Sequence, residues 1–174
     1  MSNLAEAAAQ ADALAVAGSE RELATLRAQW DEELESAARS ADYRIRAAAY
    51  RGVGQFRFRQ KIELLRRGLE DESPAVRGSA LISLELLSRD HSGDINGVRP
   101  LLHEVITNDP NEAVRRLGIV ALRNGSPQQD TVTILLGLAE GDTAPREVRD
   151  AALKVAQALR KKALAKPSGS AKSS

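Results

Sequence analysis

Apolar residues recur along the chain at helical spacing, and polar turns separate the apolar runs. In the middle of the chain, Val76, Ala80 and Leu84 follow one another at intervals of four residues, which places them on one face of a helix. Ser73 and Pro74 directly precede this run, and both are residue types that favour the first turn of a helix. The pattern therefore predicts an amphipathic helix with one buried face.

The same arrangement occurs four times. Each copy has a β-branched residue, then an Arg, a small residue three positions after the Arg, and an apolar residue four positions later, and the four arginines are Arg46, Arg77, Arg115 and Arg149. Successive arginines are 31, 38 and 34 residues apart, a period typical of stacked helix pairs that bury their cores only against their neighbours. We predict an all-α fold, a right-handed α-solenoid of about four repeats.

This period uses up almost the whole chain, so we predict one array and no second domain. An N-terminal capping helix is expected at 1–18, a repeat domain at 19–164 and a disordered tail at 165–174, where little apolar surface is left to bury. Each repeat consists of a first helix, A, and a second helix, B, and the repeat boundaries are about 19–57, 58–88, 94–124 and 127–164.

Local signals add four expectations. Ser19 with Glu22 forms a capping-box pattern at the start of the first A helix. Ile45 is expected to face inward on the first B helix, and Asp94 to be the N-cap of the helix that follows the longest loop. Pro100 falls within that helix and is expected to kink it.

Composition narrows the class of protein. Hydrophobic residues make up 43% of the chain but only five residues are aromatic, which favours closely packed helices with small side chains. The net charge of +1 provides no overall field to attract nucleic acid or an anionic membrane. Because the chain also lacks cysteine, a basic leader and a long apolar run, we expect a cytoplasmic protein with no cofactor and no metal.

Two Asp-to-Arg spacings connect this pattern to a known family. Asp71 precedes Arg77, and Asp109 precedes Arg115, by the same six residues. With these motifs the chain resembles HEAT-repeat proteins over about residues 19–162, and most of all the bacterial HEAT-like repeats named after phycobilisome lyases. The resemblance implies that the Arg early on each B helix reaches the Asp of a neighbouring repeat, as a structural ladder. The spacings from Asp42 to Arg46 and from Asp142 to Arg149 depart from this pattern.

The chain has few of the residues that enzymes related to this family need for catalysis. Deoxyhypusine hydroxylases hold two irons with several His-Glu pairs, whereas this chain has the single pair His103-Glu104. Helical DNA glycosylases place aromatic residues and an Asp in a basic groove, and Trp30-Asp31 is better explained by the apolar stripe of its helix. We therefore predict no catalytic residue, and a lyase-type subunit that acts with a paired protein is only a third hypothesis.

The B helices suggest where a partner would bind. One stripe of each B helix faces neither its A helix nor the ladder, and we expect this stripe to form the concave surface. In the middle repeats it carries apolar side chains, which basic residues would surround; the predicted partner site is Arg51, Ile82, Leu86, Arg116, Val120, Arg123 and Lys154. We predict a non-catalytic scaffold that binds an acidic or amphipathic protein segment here. Packing of Ile82, Leu86 and Val120 between adjacent B helices is an equally open alternative.

A second hypothesis is binding of phosphate or nucleic acid. Between residues 42 and 67 there are eight basic residues and two acidic ones, and the candidate anion site is Arg44, Arg51, Arg57, Arg59 and Lys61. The alternative explanation is that acidic residues on the preceding helix neutralise this stretch, as on many solvated helical surfaces. Steep weakening of binding with salt would distinguish an anion site from an apolar one.

Overall fold

The computed structural model describes residues 3–165, and most of them are helical. One short 3-10 helix, Arg59–Lys61, occurs, and within residues 3–165 there is no strand. The α-helices of the described residues are α1 (Leu4–Ala17), α2 (Glu20–Ala37), α3 (Tyr43–Gln55), α4 (Ile62–Gly68), α5 (Pro74–Ser88), α6 (Ser92–Asn96), α7 (Arg99–Asn108), α8 (Glu112–Leu122), α9 (Gln129–Glu140) and α10 (Arg146–Ala165).

Four helix pairs form two layers. The A helices α2, α4, α7 and α9 each pack against the helix that completes the pair, which is α3, α5, α8 or α10. These B helices also pack on one another in chain order, α3 on α5, α5 on α8 and α8 on α10, while α1 packs on both α2 and α3. The predicted all-α solenoid is therefore confirmed.

The core runs between the two layers and consists of medium-sized aliphatic side chains. Leu34, Val53, Leu81, Leu122 and Leu135 are all completely buried, and they come from both layers. Because each repeat contributes only a few such residues, no repeat could bury its apolar face alone. Stacking of the repeats is therefore what forms the hydrophobic core.

Two glycines mark places where helices approach unusually closely. A Cβ atom on Gly54 of α3 would lie 2.7 Å from Ser83 Oγ and 2.9 Å from Ser83 Cα on α5. A Cβ atom on Gly118 of α8 would lie 3.0 Å from Ile106 Cγ2 on α7. Since real Cβ atoms essentially never come within 3.0 Å of backbone, the helix contact requires a glycine at position 54. A side chain at position 118 would require its neighbours to shift by a few tenths of an ångström.

Helix ends follow the local sequence in several places. Asp42 Oδ1 accepts a hydrogen bond of 2.9 Å from the Arg44 amide at the start of α3, and Asn111 caps α8 in the same way. Gly18 has a φ of +74° after α1, where it forms the left-handed C-cap expected of a glycine. Ser19, in contrast, makes no side-chain capping bond to α2, so the predicted capping box is absent.

The expectation for Ile45 is wrong. Its side chain is 44% exposed, and the neighbouring Tyr43 is 46% exposed. The buried residues of α3 begin only at Ala49. The first turn of α3 therefore projects beyond the packed part of the array, and a periodic apolar residue there reaches solvent.

The expectations around the longest loop need correction as well. Helix α6 begins at Ser92, so Asp94 lies within a short helix and is not the N-cap of α7. Pro100 is the second residue of α7, which starts at Arg99. The missing N–H of a proline is not needed in a first turn, so Pro100 starts a helix instead of kinking one.

The two ends of the chain differ in what the structure describes. Helix α1 occupies the position predicted for the N-terminal cap. Ala165 is the last residue of α10, and the rest of the tail predicted to be disordered, 166–174, lies outside the described residues. Between residues 3 and 165, no helix is both long enough and apolar enough to cross a membrane.

Candidate functional site

Two Arg-Asp pairs join neighbouring repeats at their turns. Arg46 Nε and Nη2 donate to both carboxylate oxygens of Asp71, each at 3.0 Å, and Arg77 contacts Asp109 in the same bidentate way at 2.8 and 3.0 Å. Arg77 Nη1 also donates to the backbone carbonyls of Asp71 and Glu72 in its own turn. Each arginine therefore ties the turn of its own repeat to the turn of the next one.

Burial and hydrogen bonding act in opposite directions on the pKa of the Asp71 carboxylate. Burial raises the pKa of Asp71, whereas the hydrogen bonds from Arg46 and from the Ser73 amide lower it, and the pKa ends below its usual value. The side chain of Arg77 is 13% exposed and that of Asp109 is 6% exposed, so this second pair is nearly buried.

The ladder stops before the fourth repeat. Arg115 Nε donates to the backbone carbonyl of Ile106 at 2.9 Å, and no ion pair joins Arg115 to the exposed Asp142 in the described part of the chain. Arg149 Nε is buried and has no hydrogen-bond partner among residues 3–165. The ladder therefore connects repeats one to three, and repeat four is attached by other contacts.

A groove opens at this last junction, between the B helices α8 and α10. It has a volume of about 440 Å³. Its apolar lining includes Val120, which is 40% exposed, together with the partly buried Leu117 and Ala151. Val155 contributes the remaining apolar surface and is 5% exposed. The groove therefore has an apolar centre that solvent can reach.

Charged side chains surround that centre. Arg116, Arg123 and Lys154 are exposed and line the groove together with the carboxylates of Glu147 and Asp150. Arg146 lies 3.7 Å from Asp150, but both side chains are more than half exposed, so this contact is weak. The rim therefore has both signs of charge, and Arg123 directly follows the last residue of α8, whereas Lys154 lies near the middle of α10.

The groove continues toward both ends of the two helices. At the C-terminal end, a cavity of about 420 Å³ shares Arg123 and is also lined by Arg89, Lys161 and Lys162. At the N-terminal end, a cavity of about 410 Å³ shares Arg116 and Glu147 and adds Glu112. Because like ends of α8 and α10 line the same cavities, the two helices run parallel and the groove follows them lengthwise.

The structure gathers four of the residues predicted for a partner site, namely Arg116, Val120, Arg123 and Lys154. Three others do not line this groove. Ile82 and Leu86 lie on α5, where both are partly buried, and Arg51 lies on α3. Nη1 of Arg51 is buried without a hydrogen-bond partner among the described residues.

Sequence reasoning missed the floor and the basic end of the groove. Leu117 lies three residues before Val120, and helical residues three apart are neighbours on one face, so this signal was present in the sequence. Lys161 and Lys162 carried no comparable signal. Lys162 Nζ donates to the backbone carbonyls of Arg123 and Gly125, 39 and 37 residues away, which only the fold brings near.

The residues of the alternative anion site are mostly engaged with other groups. Arg57 lies 2.7 Å from Asp12, Arg59 lies 2.8 Å from Asp94, and Lys61 contacts two carboxylates. The guanidinium of Arg44 lies 5.6 Å from the centre of the Tyr43 ring. Three of the five cations are therefore neutralised within the fold, which leaves little positive potential for a phosphate.

A further cavity of about 530 Å³ lies between α2 and the segment of the 3-10 helix and α4. Lys61 Nζ lies 2.6 Å from Asp31 Oδ1 and 2.7 Å from Glu35 Oε1 at its wall. Burial lowers the pKa of Lys61 and the two carboxylates raise it, so that the pKa ends above its usual value. This cation is fixed within an ion-pair network and is not available to a ligand.

The residues considered for catalysis make contacts that are typical of residues with a structural role. His103 Nε2 lies 2.9 Å from Thr131 Oγ1, and burial holds the pKa of His103 below its usual value. Trp30 is partly buried and packs against the hydrophobic core. Within residues 3–165, no three His, Cys, Asp or Glu side chains are grouped so that they could hold a metal ion.

Comparison with known proteins agrees with this architecture. The sequence pattern of the family described as HEAT repeats matches residues 32–123, which is more than half of the chain. No curated protein sequence matches the chain significantly. The match runs from within α2 to just past the end of α8 and includes both Arg-Asp pairs. The chain belongs to the HEAT-repeat family.

Proposed function

We propose that this protein is a non-catalytic scaffold that binds a segment of another protein in the groove between α8 and α10. HEAT repeats commonly serve as scaffolds for protein interactions. The observation that carries the proposal is the exposure of Val120, at 40%, within an apolar groove whose rim has three cations and two carboxylates. An apolar centre with a charged rim is the usual anatomy of a protein-binding surface.

The charge of the groove favours an acidic or amphipathic partner. Arg116, Arg123 and Lys154 all line it and are exposed, and none of them forms an ion pair with another described residue. Carboxylates of a partner would form charge-assisted hydrogen bonds with them. Apolar residues of the partner would then cover Val120 and Leu117, which explains why this junction is open.

Two matched variants test the proposal. Val120→Ser removes the apolar centre, and Leu153→Ser makes an equivalent change at a side chain that is 43% exposed on α10 but does not line the groove. Each tagged protein captures partners from the native host, and mass spectrometry quantifies them. We expect Val120→Ser to lose a defined set of proteins that wild type and Leu153→Ser retain. Equal capture by all three proteins would contradict the proposal.

A further inference from the structure

The groove between α8 and α10 is not uniform along its length. Its middle is apolar, with Leu117, Val120, Ala151 and Val155. Its C-terminal end is lined by the basic residues Arg89, Arg123, Lys161 and Lys162. Of these, Arg89 is paired with Glu85 at 2.9 Å, and Lys162 donates to the backbone carbonyls of Arg123 and Gly125. The exposed Arg123 and Lys161 therefore supply the positive charge that a partner can reach at this end.

The N-terminal end of the groove has a different charge. Glu112, Glu147 and Asp150 lie there, next to Arg116 and Arg146. The carboxylates and arginines nearly balance. The partial charges of the two parallel helices, about +0.5 at each N-terminus and −0.5 at each C-terminus, reduce the contrast but do not reverse it. The basic end of the groove therefore stays positive relative to the opposite end.

The floor of the groove favours a helix over an extended peptide. An extended segment would need hydrogen-bond partners for its backbone, and the apolar side chains in the middle provide none. A helix satisfies its own backbone and presents side chains at i, i+4 and i+7, which fit between two parallel helices. From Glu147 to Lys162 the groove accommodates about 15 residues of helix, or about 22 Å.

We infer that the partner is an amphipathic helix with acidic residues in its first turn, lying antiparallel to α8 and α10. This inference rests on the proposed function and specifies the partner of the same groove. In this orientation the acidic turn lies over Arg123 and Lys161, and apolar side chains cover Val120. Acidic residues also stabilise the first turn of their own helix, and antiparallel helix dipoles attract one another.

Synthetic peptides test the orientation with the full chain. The forward peptide has about 15 residues, with three glutamates in the first turn, a leucine stripe and three lysines in the last turn; the reversed peptide exchanges the glutamates and lysines. Fluorescence anisotropy at low salt gives both dissociation constants. We expect the forward peptide to bind wild type about tenfold more tightly, since several charge contacts of a few tenths of a kcal/mol or more add up.

The arrangement of charge also changes the helicity of each peptide, so a protein variant provides the decisive control. The double substitution Arg123→Glu with Lys161→Glu reverses the charge at the basic end and leaves both peptides as they were. We expect the preference for the forward peptide to disappear or invert. A preference that survives in this variant would come from the peptides alone and would overturn the inference.

A direct measurement of direction is possible because the chain contains no cysteine. A dye placed by Ala165→Cys marks the basic end of the groove, and Ala113→Cys marks the opposite end. Energy transfer to an acceptor on the peptide N-terminus should be stronger from residue 165. Stronger transfer from residue 113 would overturn the antiparallel orientation.

The remaining outcomes separate this inference from the proposed function. If both peptides bind equally and Val120→Ser weakens both, the groove binds a partner but the orientation is wrong. If neither peptide binds wild type, the helical partner is wrong, and host capture with Val120→Ser still decides the proposed function. Self-association of the chain that the forward peptide displaces would place a second copy in the groove. Displacement of the peptide by single-stranded DNA would assign the basic end to nucleic acid.

Discussion

The junction between α3 and α5 is closed, whereas the junction between α8 and α10 is open. At the closed junction, Ser83 Oγ donates to the Tyr50 carbonyl at 2.6 Å and accepts from the Gly54 amide at 3.0 Å, so the two helix backbones nearly touch. At the open junction, Val120 is 40% exposed above a groove of about 440 Å³. Adjacent B helices therefore fill the space between them at one junction and leave an open groove at the other.

The two regions also differ in how many of their charged side chains form ion pairs. Around the first repeats, Arg46, Arg57, Arg59, Lys61 and Arg77 all form ion pairs with carboxylates of other helices or turns. Around the groove, the exposed cations lie beside carboxylates that are themselves exposed. The first half of the array uses its charges for its own assembly, and the last junction presents its charges to solvent.

The two junctions differ in the side chains that face each other. A glycine and a serine at facing positions close one junction completely. At the other junction, Leu117 and Val120 line an open groove instead. Changes that open the closed junction, break the ladder or make the open groove polar should therefore have separable effects.

The largest effect is expected from Arg77→Ala. This substitution leaves the carboxylate of Asp109, which is 6% exposed, without its bidentate partner. Loss of one member of a nearly buried pair costs about 3 kcal/mol of unfolding free energy. Arg115→Ala is the matched control, because Arg115 donates to a backbone carbonyl and should cost about 1 kcal/mol. Equal losses in urea denaturation of the two variants would contradict a specific role for the ladder.

The next largest effect is expected from Gly54→Ala. The added methyl group would lie 2.9 Å from Ser83 Cα, so α3 and α5 must move apart, at a cost of about 1–3 kcal/mol. Gly137→Ala adds the same methyl group to α9, where it meets nothing within 4 Å and should stabilise the helix by about 0.5–1 kcal/mol. Thermal unfolding of both variants checks the sign of each change. Stabilisation by Gly54→Ala would contradict the close contact.

A smaller effect should appear in the pH dependence of stability. Burial and the nearby Arg99 lower the pKa of His103, while Asp130 raises it, and the net shift is downward. Because the unfolded chain then takes up a proton at higher pH, the unfolding free energy should fall as pH drops below about 6.5 toward the lower folded pKa.

His103→Gln should remove this part of the pH dependence. His91→Gln, at an exposed position in the loop before α6, should leave it in place. Denaturation curves between about pH 7.5 and 5 measure both variants against wild type. An unchanged pH dependence in His103→Gln would show that other groups cause it.

The smallest effect on stability is expected at the groove itself. Val120→Ser replaces a side chain that is 40% exposed, so the unfolding free energy should change by no more than about 0.5–1 kcal/mol. Val53→Ser provides the contrast, since Val53 is completely buried beside the closed junction and should cost several times more. A loss of several kcal/mol in Val120→Ser would place Val120 in the core.

The repeat architecture could be predicted from local sequence patterns. A few adjacent residues determine the helix starts at Asp42 and Asn111, the C-cap at Gly18 and the recurring Arg on each B helix. Local sequence patterns therefore indicate these features well. Burial of Val76, Ala80 and Leu84 follows from the same helical spacing. Such features are local because a helix closes its own hydrogen bonds.

Local patterns could not predict which periodic residues reach solvent, because that depends on tertiary packing. Ile45 and Val76 occupy equivalent positions in the repeat, yet Ile45 is 44% exposed and Val76 is completely buried. The pairs Arg59 with Asp94 and Lys162 with the Arg123 carbonyl join residues 35 and 39 positions apart. The groove likewise depends on the separation of α8 and α10. The distances between such groups depend on how closely two helices can pack. Close packing is a property of both helix surfaces, so neither sequence segment determines it alone.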